Sequence, residues 1–231
     1  VVITGDRITA VGPGASVPVP AGATVVDAAG QFIVPGFIDT NVHLSLYGGV
    51  NDRYETLVRY NTRQADIVLE AAQLQLKHGA TTVRDSYGVL PALVTTRDRI
   101  NRGEATGARI LAAGNIVGWG GPYSVSFSLI REAGLTLFQE QMNDQITQGA
   151  GEDLVDMTPD ELRGLVRKFK ADGADLVKIF ASASIRDGGV PTLSQAQLDA
   201  VCGEARAQGL RSMVHAHAPE AMMRAARAGC T

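Results

Sequence analysis

The sequence predicts an α/β fold, in which a parallel sheet is joined by right-handed helical crossovers and preceded by a small β appendage. Three observations predict it. From Pro35 onward, apolar runs of strand length alternate with helical stretches. Glycines stand where helices hand over to strands, as at Gly173 and Gly209. Residues 1–34, by contrast, read as short strands and turns. Parallel strands need a crossover, and its hand follows from the twist of the strands.

The elements follow in order. Val1-Val2-Ile3 is a strand, Gly5-Asp6 a turn signal and Arg7–Val11 a second strand. Gly12-Pro13-Gly14 and Pro18-Val19-Pro20 interrupt the chain, and Val25-Val26-Asp27 and Gln31–Val34 are expected to complete the appendage. Further strands are expected near 36–43, 80–85, 108–115, 174–180 and 210–217. A helix is expected from Glu55 to Lys77, with Leu57, Val58, Ile67, Val68, Ala71, Leu74 and Leu76 on its apolar face. His78, just before Gly79, fits a C-cap that complements the helix dipole. Thr158-Pro159-Asp160-Glu161 is a capped start with Thr at N-cap, Pro at N1 and Glu at N3. Ser194-Gln195-Ala196-Gln197 repeats that logic. The stretch from Gly114 to Ala150 breaks the rhythm, and its run Gly118–Tyr123 is turn-rich and aromatic.

Bulk properties bound the partners. The 231 residues, 45% hydrophobic, suffice for one large domain or a domain with an appendage. A net charge of −3 without a basic cluster argues against nucleic acid or an anionic membrane. Arg97, Arg99 and Arg102, interleaved with Asp98 and Glu104, read as a solvated helical face. No apolar run approaches the ~20 residues of a membrane span, and no signal peptide is recognised. Cys202 and Cys230 match no disulfide framework or metal spacing, and Cys202 reads as a small core residue. A reducing cytoplasm is therefore expected. Val1 begins inside a strand-like run and Thr231 stops where another strand is due, so a longer protein is expected.

The chemistry concentrates at strand ends. Val34-Pro35-Gly36-Phe37-Ile38-Asp39-Thr40-Asn41-Val42-His43-Leu44 runs from a Pro-Gly turn through an apolar strand to polar residues two apart. Alternate residues of a strand share a face, so Asn41 and His43 project together and could hold a metal. Lys178 lies between Val177 and Ile179 and points opposite to both. A buried lysine is biased towards its neutral form, which can add carbon dioxide and become an anionic carbamate. The alternatives are a lysine that snorkels outward or pairs with Asp175. His215 and His217 alternate on one side of the strand near 210–217. Arg84 and Asp85 end another strand and are expected to brace it as an ion pair.

Four of these segments resemble, in order, the amidohydrolase superfamily. They are Pro35–His43, Gly79–Asp85, Asp175–Phe180 and Met213–His217. The likeness extends over the whole chain and is nearest the imidazolonepropionase and Xaa-Pro dipeptidase-like branch. The first motif departs from the usual His-x-His because Asn41 stands in the first position. That variant resembles the phenylurea hydrolases and molinate hydrolase.

The resemblance implies a (β/α)8 TIM-type barrel from residue 35 to 231, here its first five βα units, with residues 1–34 contributing to a small β-sandwich. Strands beyond Thr231 would complete both. It implies metal-dependent hydrolysis of an amide-like carbonyl in a small molecule, such as a urea, carbamate or thiocarbamate. An Xaa-Pro dipeptidase or N-acyl amino acid hydrolase is the alternative, and a non-catalytic scaffold the second. His43, Lys178, as such or carbamylated, and His215 would hold one divalent ion, zinc foremost, with cobalt or manganese also fitting. Asn41 would ligate weakly or act from the second shell, because an amide oxygen is a poorer ligand than imidazole for such ions. His217, Trp119, Tyr123 and Arg186 are candidate substrate contacts, with Trp119 alternatively an anchor and His217 alternatively a structural hydrogen-bonding group. The general-base aspartate is expected beyond residue 231, and neither Asp39 nor Asp187 is assigned that role. A homo-oligomer is expected.

Overall fold

The computed structural model describes residues 1–46, 59–120, 136–137, 140–141, 156–185 and 188–231. They fall into two units, Val1–Pro35 and Gly36–Thr231. In the first, β1 (Val2–Thr4) and β2 (Arg7–Ala10) form an antiparallel hairpin around Gly5-Asp6. Gly5 takes φ 62°, a conformation that favours glycine. The two further strands expected at Val25–Asp27 and Gln31–Val34 are not present. A strand exists only with a ladder partner, and neither segment has one among the described residues.

The second unit is built on parallel strands met in chain order. β3 (Phe37–Val42) pairs with β4 (Ala80–Asp85), and β4 pairs with β5 (Arg109–Ala112). β6 (Ile116–Val117) pairs with β7 (Leu176–Phe180), and β7 with β8 (Arg211–His215). Two hydrogen bonds stitch β5 to the lead-in of β7. Asp175 N–H donates to the Ala112 carbonyl at 2.8 Å, and Ala112 N–H donates to Asp175 Oδ2 at 2.9 Å. Among the described residues the strand order does not reverse, as in a barrel; a doubly wound open sheet reverses at its switch point. Gly36 lets β3 start close to β4, since a Cβ there would fall 2.2 Å from Thr81 Cγ2.

Among the described residues five helices accompany the strands: α1 (Gln64–Lys77), α2 (Leu90–Asn101), α3 (Pro159–Ala171), α4 (Gln195–Ala207) and α5 (Pro219–Arg227). α1 follows a 3-10 turn at Asn61–Arg63; positions 55–58 of the expected helix lie outside the described residues. His78 is its C-cap, donating its backbone N–H to the carbonyls of Leu74 and Gln75. Both expected capping boxes form. Thr158 Oγ1 accepts from Glu161 N–H at 3.3 Å while Glu161 accepts from Thr158 N–H at 2.8 Å. Ser194 and Gln197 repeat the exchange. Each cap stabilises its helix by about 0.5–2 kcal/mol.

β5 alternates as a barrel wall requires, while β7 is buried along its whole length. Ile110 and Ala112 of β5 are buried, whereas Arg109 and Leu111 are exposed on the other face. Val83, Ile110, Val177 and Ile179 belong to one core with Val68, Leu93, Leu162, Val166, Leu198 and Val201 of the helices. Burying each such side chain contributes about 1.5–3 kcal/mol.

Three sequence expectations are corrected here. Arg84 and Asp85 form no ion pair: neighbours in a strand point to opposite faces, and Asp85 is fully buried while Arg84 is only half-buried. Arg97 is not on a solvated face. It is largely buried, bonded to Asp98 at 2.8 Å and to Asp175 at 2.9 Å, and donates to the Gly173 carbonyl at 2.7 Å. Cys202 is not a free core thiol, because it is disulfide-bonded to Cys230. α4 and the turn after α5 bring their Cα atoms to 5.1 Å, a separation that suits the bond. That pairing removes the observation from which a reducing compartment was expected. No helix among the described residues is long and apolar enough to cross a membrane.

Candidate active site

The carboxyl end of β3 carries the first group. Val42 and Leu44 are buried, while Asn41 and His43 are exposed together on the opposite side. Asp85, at the end of β4, fixes this arrangement. Its Oδ2 accepts the Leu44 N–H at 2.6 Å and its Oδ1 the Tyr87 N–H at 3.1 Å. Burial pushes the Asp85 carboxyl up to about 8, against the opposing pull of these two backbone bonds. The next residue, Ser86, is fully buried. Its hydroxyl donates to Asn41 Oδ1 at 2.6 Å and lies 3.4 Å from His43 Nδ1.

The carboxyl ends of β7 and β8 carry the second group. Lys178 is 7% exposed, and burial lowers its pKa from the ordinary lysine value. Asp175 is not its partner, being held by Arg97. The β7–β8 register sets Phe180 opposite His215. The His215 ring stacks on Phe180 with centroids 4.4 Å apart and touches His217 at 4.1 Å. Burial, then the nearby His217 and Lys178, push His215 down to about 4. Its Nε2 is buried and makes no hydrogen bond among the described residues. His217 is held by the loop after β7: its Nδ1 accepts the Ile185 N–H at 2.8 Å, and its own N–H donates to Ser182 Oγ at 2.7 Å.

Trp119 is 3% exposed and packs edge-on against Tyr87 at 5.2 Å; Tyr87 in turn meets the His43 ring at 6.0 Å. Trp119 thus packs behind the ring that meets His43. Tyr123, Arg186 and Asp187 lie outside the described residues. Among the described residues no group of three or more His, Cys, Asp and Glu side chains is close enough to hold a metal ion. A site of His43, Lys178 and His215 would depend on the lysine. The donor chemistry fits a cation: ligands must be deprotonated, Lys178 and His215 are both biased to neutral forms, and His215 Nε2 is buried with no hydrogen-bond partner among the described residues. Ser86, Tyr87 and the clamp at Asp85 were not singled out from sequence. The signal that finds them is register: Val42 pairs with Asp85, which sets the residue after β4 beside Asn41 and His43.

Parallel strands in chain order, with polar side chains gathered at their carboxyl ends, are the arrangement of a (β/α)8-barrel enzyme. The amidohydrolase family matches residues 32–230, and the chain belongs to that family. No curated protein matches the sequence. Among solved structures, phenylurea hydrolase B is 36% identical with a TM-score of 0.76, over 92% of this chain and 50% of its own. Molinate hydrolase is 30% identical with a TM-score of 0.79, over 95% and 49%. A Xaa-Pro dipeptidase with bound methionine is 27% identical with a TM-score of 0.61, over 90% and 51%. The chain thus spans about half the length of these relatives.

Proposed function

We propose that the protein is a metal-dependent hydrolase of N-substituted carbonyl compounds, namely ureas, carbamates or thiocarbamates. One observation carries the reading: His215 Nε2 is buried with no hydrogen-bond partner among the described residues, close to a lysine whose charged form is disfavoured. His43, Lys178 and His215 would hold the ion, with zinc foremost and cobalt or manganese also suited to the set. A bound divalent ion polarises a scissile carbonyl and acidifies water. The chain's own contribution is to bias Lys178 and His215 towards their neutral forms and to orient the rings. Burial shifts Lys178 towards its amine, the form that can become a carbamate, and stacking on Phe180 fixes the ring of His215. Asn41 is not counted as a primary ligand, since its amide oxygen already accepts the Ser86 hydroxyl.

Likeness to phenylurea hydrolase B and molinate hydrolase supports the substrate class. Further strands of the same polypeptide are proposed to complete the barrel and to supply the general base. Two observations support this: the relatives are matched over half their length, and Phe37 and Ile38 of edge strand β3 are 65% and 67% exposed. The test is side-by-side kinetics of full-length protein on a phenylurea and an Xaa-Pro dipeptide. The phenylurea is expected to be preferred. A dipeptide preference above roughly a hundredfold in kcat/KM, about 2.7 kcal/mol, would overturn the substrate class. Absence of turnover and of metal would overturn the reading altogether.

A further inference from the structure

We propose that Asn41 and Ser86 form a relay that holds His43 as its Nδ1–H tautomer, which makes Ser86 a positioning residue. The inference deepens the reading of the site above and rests on His43 being a metal ligand. It follows from counting protons. A serine hydroxyl carries one hydrogen, and a carboxamide oxygen can only accept. The 2.6 Å contact therefore places the Ser86 proton on the line to Asn41 Oδ1. The 3.4 Å contact with His43 must then run the other way, with Nδ1–H donating to Ser86 Oγ. A neutral imidazole with its proton on Nδ1 has its lone pair on Nε2, and a metal-holding histidine is commonly oriented through its other nitrogen in this way.

The opposite arrangement shows what the relay selects against. If the amide were turned over, Asn41 Nδ2–H would donate to Ser86 Oγ. The hydroxyl proton would then go to His43 Nδ1, and the ring would carry its own proton on Nε2. The orientation of the amide at position 41 thus decides which nitrogen of His43 can give a lone pair to a cation.

The serine is well placed to transmit this choice. It is fully buried, and its backbone N–H donates to the Val42 carbonyl at 2.9 Å, between the two residues it bridges. The preceding residue, Asp85, clamps Leu44 from the same strand end. Ser86 is thereby held against the segment that presents Asn41 and His43. On this account position 41 works through Ser86 without touching the ion.

The experiment is a long-range 1H–15N correlation spectrum of metal-free full-length protein labelled at histidine, recorded at mildly alkaline pH. His43 is assigned by the signal lost in His43→Gln. The expected result is Nδ1–H for His43 in the wild type and in Ser86→Thr, with the Nε2–H form gaining population in Ser86→Ala. Zinc titration of the same proteins should show affinity falling about 10-fold or more in Ser86→Ala and retained in Ser86→Thr. His43 found as Nε2–H in the wild type overturns the relay, and needs no variant to fold. An unchanged tautomer in Ser86→Ala overturns it as well. Wild-type protein that takes up no zinc while showing Nδ1–H would sink the metal reading and support the relay.

Discussion

The buried carboxyl of Asp85 accepts the backbone N–H of Leu44 at 2.6 Å, tying the end of β4 to the residue after His43. Its cost is desolvation, which lifts the pKa from 3.8 to about 8. The folded protein therefore binds this proton more tightly than the unfolded chain. By linkage, the stability that Asp85 contributes is fully present below its unfolded pKa and lost as pH rises through the folded value. Between about pH 4 and pH 8, denaturant midpoints of full-length protein should fall with a component due to this group. Asp85→Asn should remove that component while costing about 1–3 kcal/mol, because its amide NH2 would face one of the two N–H groups. A variant that kept the wild-type slope would place the proton elsewhere.

Lys178 offers a separation of stability from function. Its amine is buried, its charge is disfavoured, and Asp175 is committed to Arg97. Lys178→Met keeps the stem's length and removes the polar head, so stability should be unchanged or higher. Metal affinity should fall at least as far as the roughly 10–100-fold typical of outer-shell losses. Thermal melts paired with metal titration test this. A destabilised variant with intact metal binding would make the lysine a structural residue.

Local chemistry was legible in the sequence, and long-range pairing was not. The capping boxes at Thr158 and Ser194 are four-residue signals, readable without a fold. The alternation that exposes Asn41 and His43 and buries Val42 and Leu44 is a two-residue period. Ser86, however, meets Asn41 across 45 positions, and Arg97 meets Asp175 across 78. No periodicity within either segment encodes such a meeting; the parallel register does. The Arg84–Asp85 expectation failed for the converse reason. Adjacency in sequence was read as contact, although strand geometry sends the two side chains to opposite faces.

The disulfide between Cys202 and Cys230 closes a loop with a sequence separation of 28. It joins α4 to the turn after α5, where Arg206 also donates to the Gly229 carbonyl at 2.9 Å. Cross-linking a loop of this order typically contributes about 2–4 kcal/mol, mainly by restricting the unfolded chain. Replacing both cysteines with serine should lower the denaturation midpoint, and reductant should do the same to the wild type only. Two free thiols titrated in denaturant without reductant would show that the bond does not form.

The relay also ranks three substitutions at the end of β3. His43→Ala removes a proposed ligand outright, whereas Asn41→Ala removes only what orients it through Ser86. In metal titrations of apo full-length protein, His43→Ala should therefore lose more affinity than Asn41→Ala, whose loss should resemble the roughly tenfold effect of an outer-shell change. Combining Asn41→Ala with Ser86→Ala should cost little beyond either alone, because residues acting through one contact are not additive. Asn41→His tests the position from the other side. Imidazole is a better ligand than an amide oxygen for zinc or cobalt, so metal binding should strengthen, with a second equivalent if carbamylated Lys178 can bridge two ions. If Asn41→Ala weakened binding as much as His43→Ala, the asparagine would be a primary ligand, and its 2.6 Å bond from Ser86 would be orienting Asn41 itself.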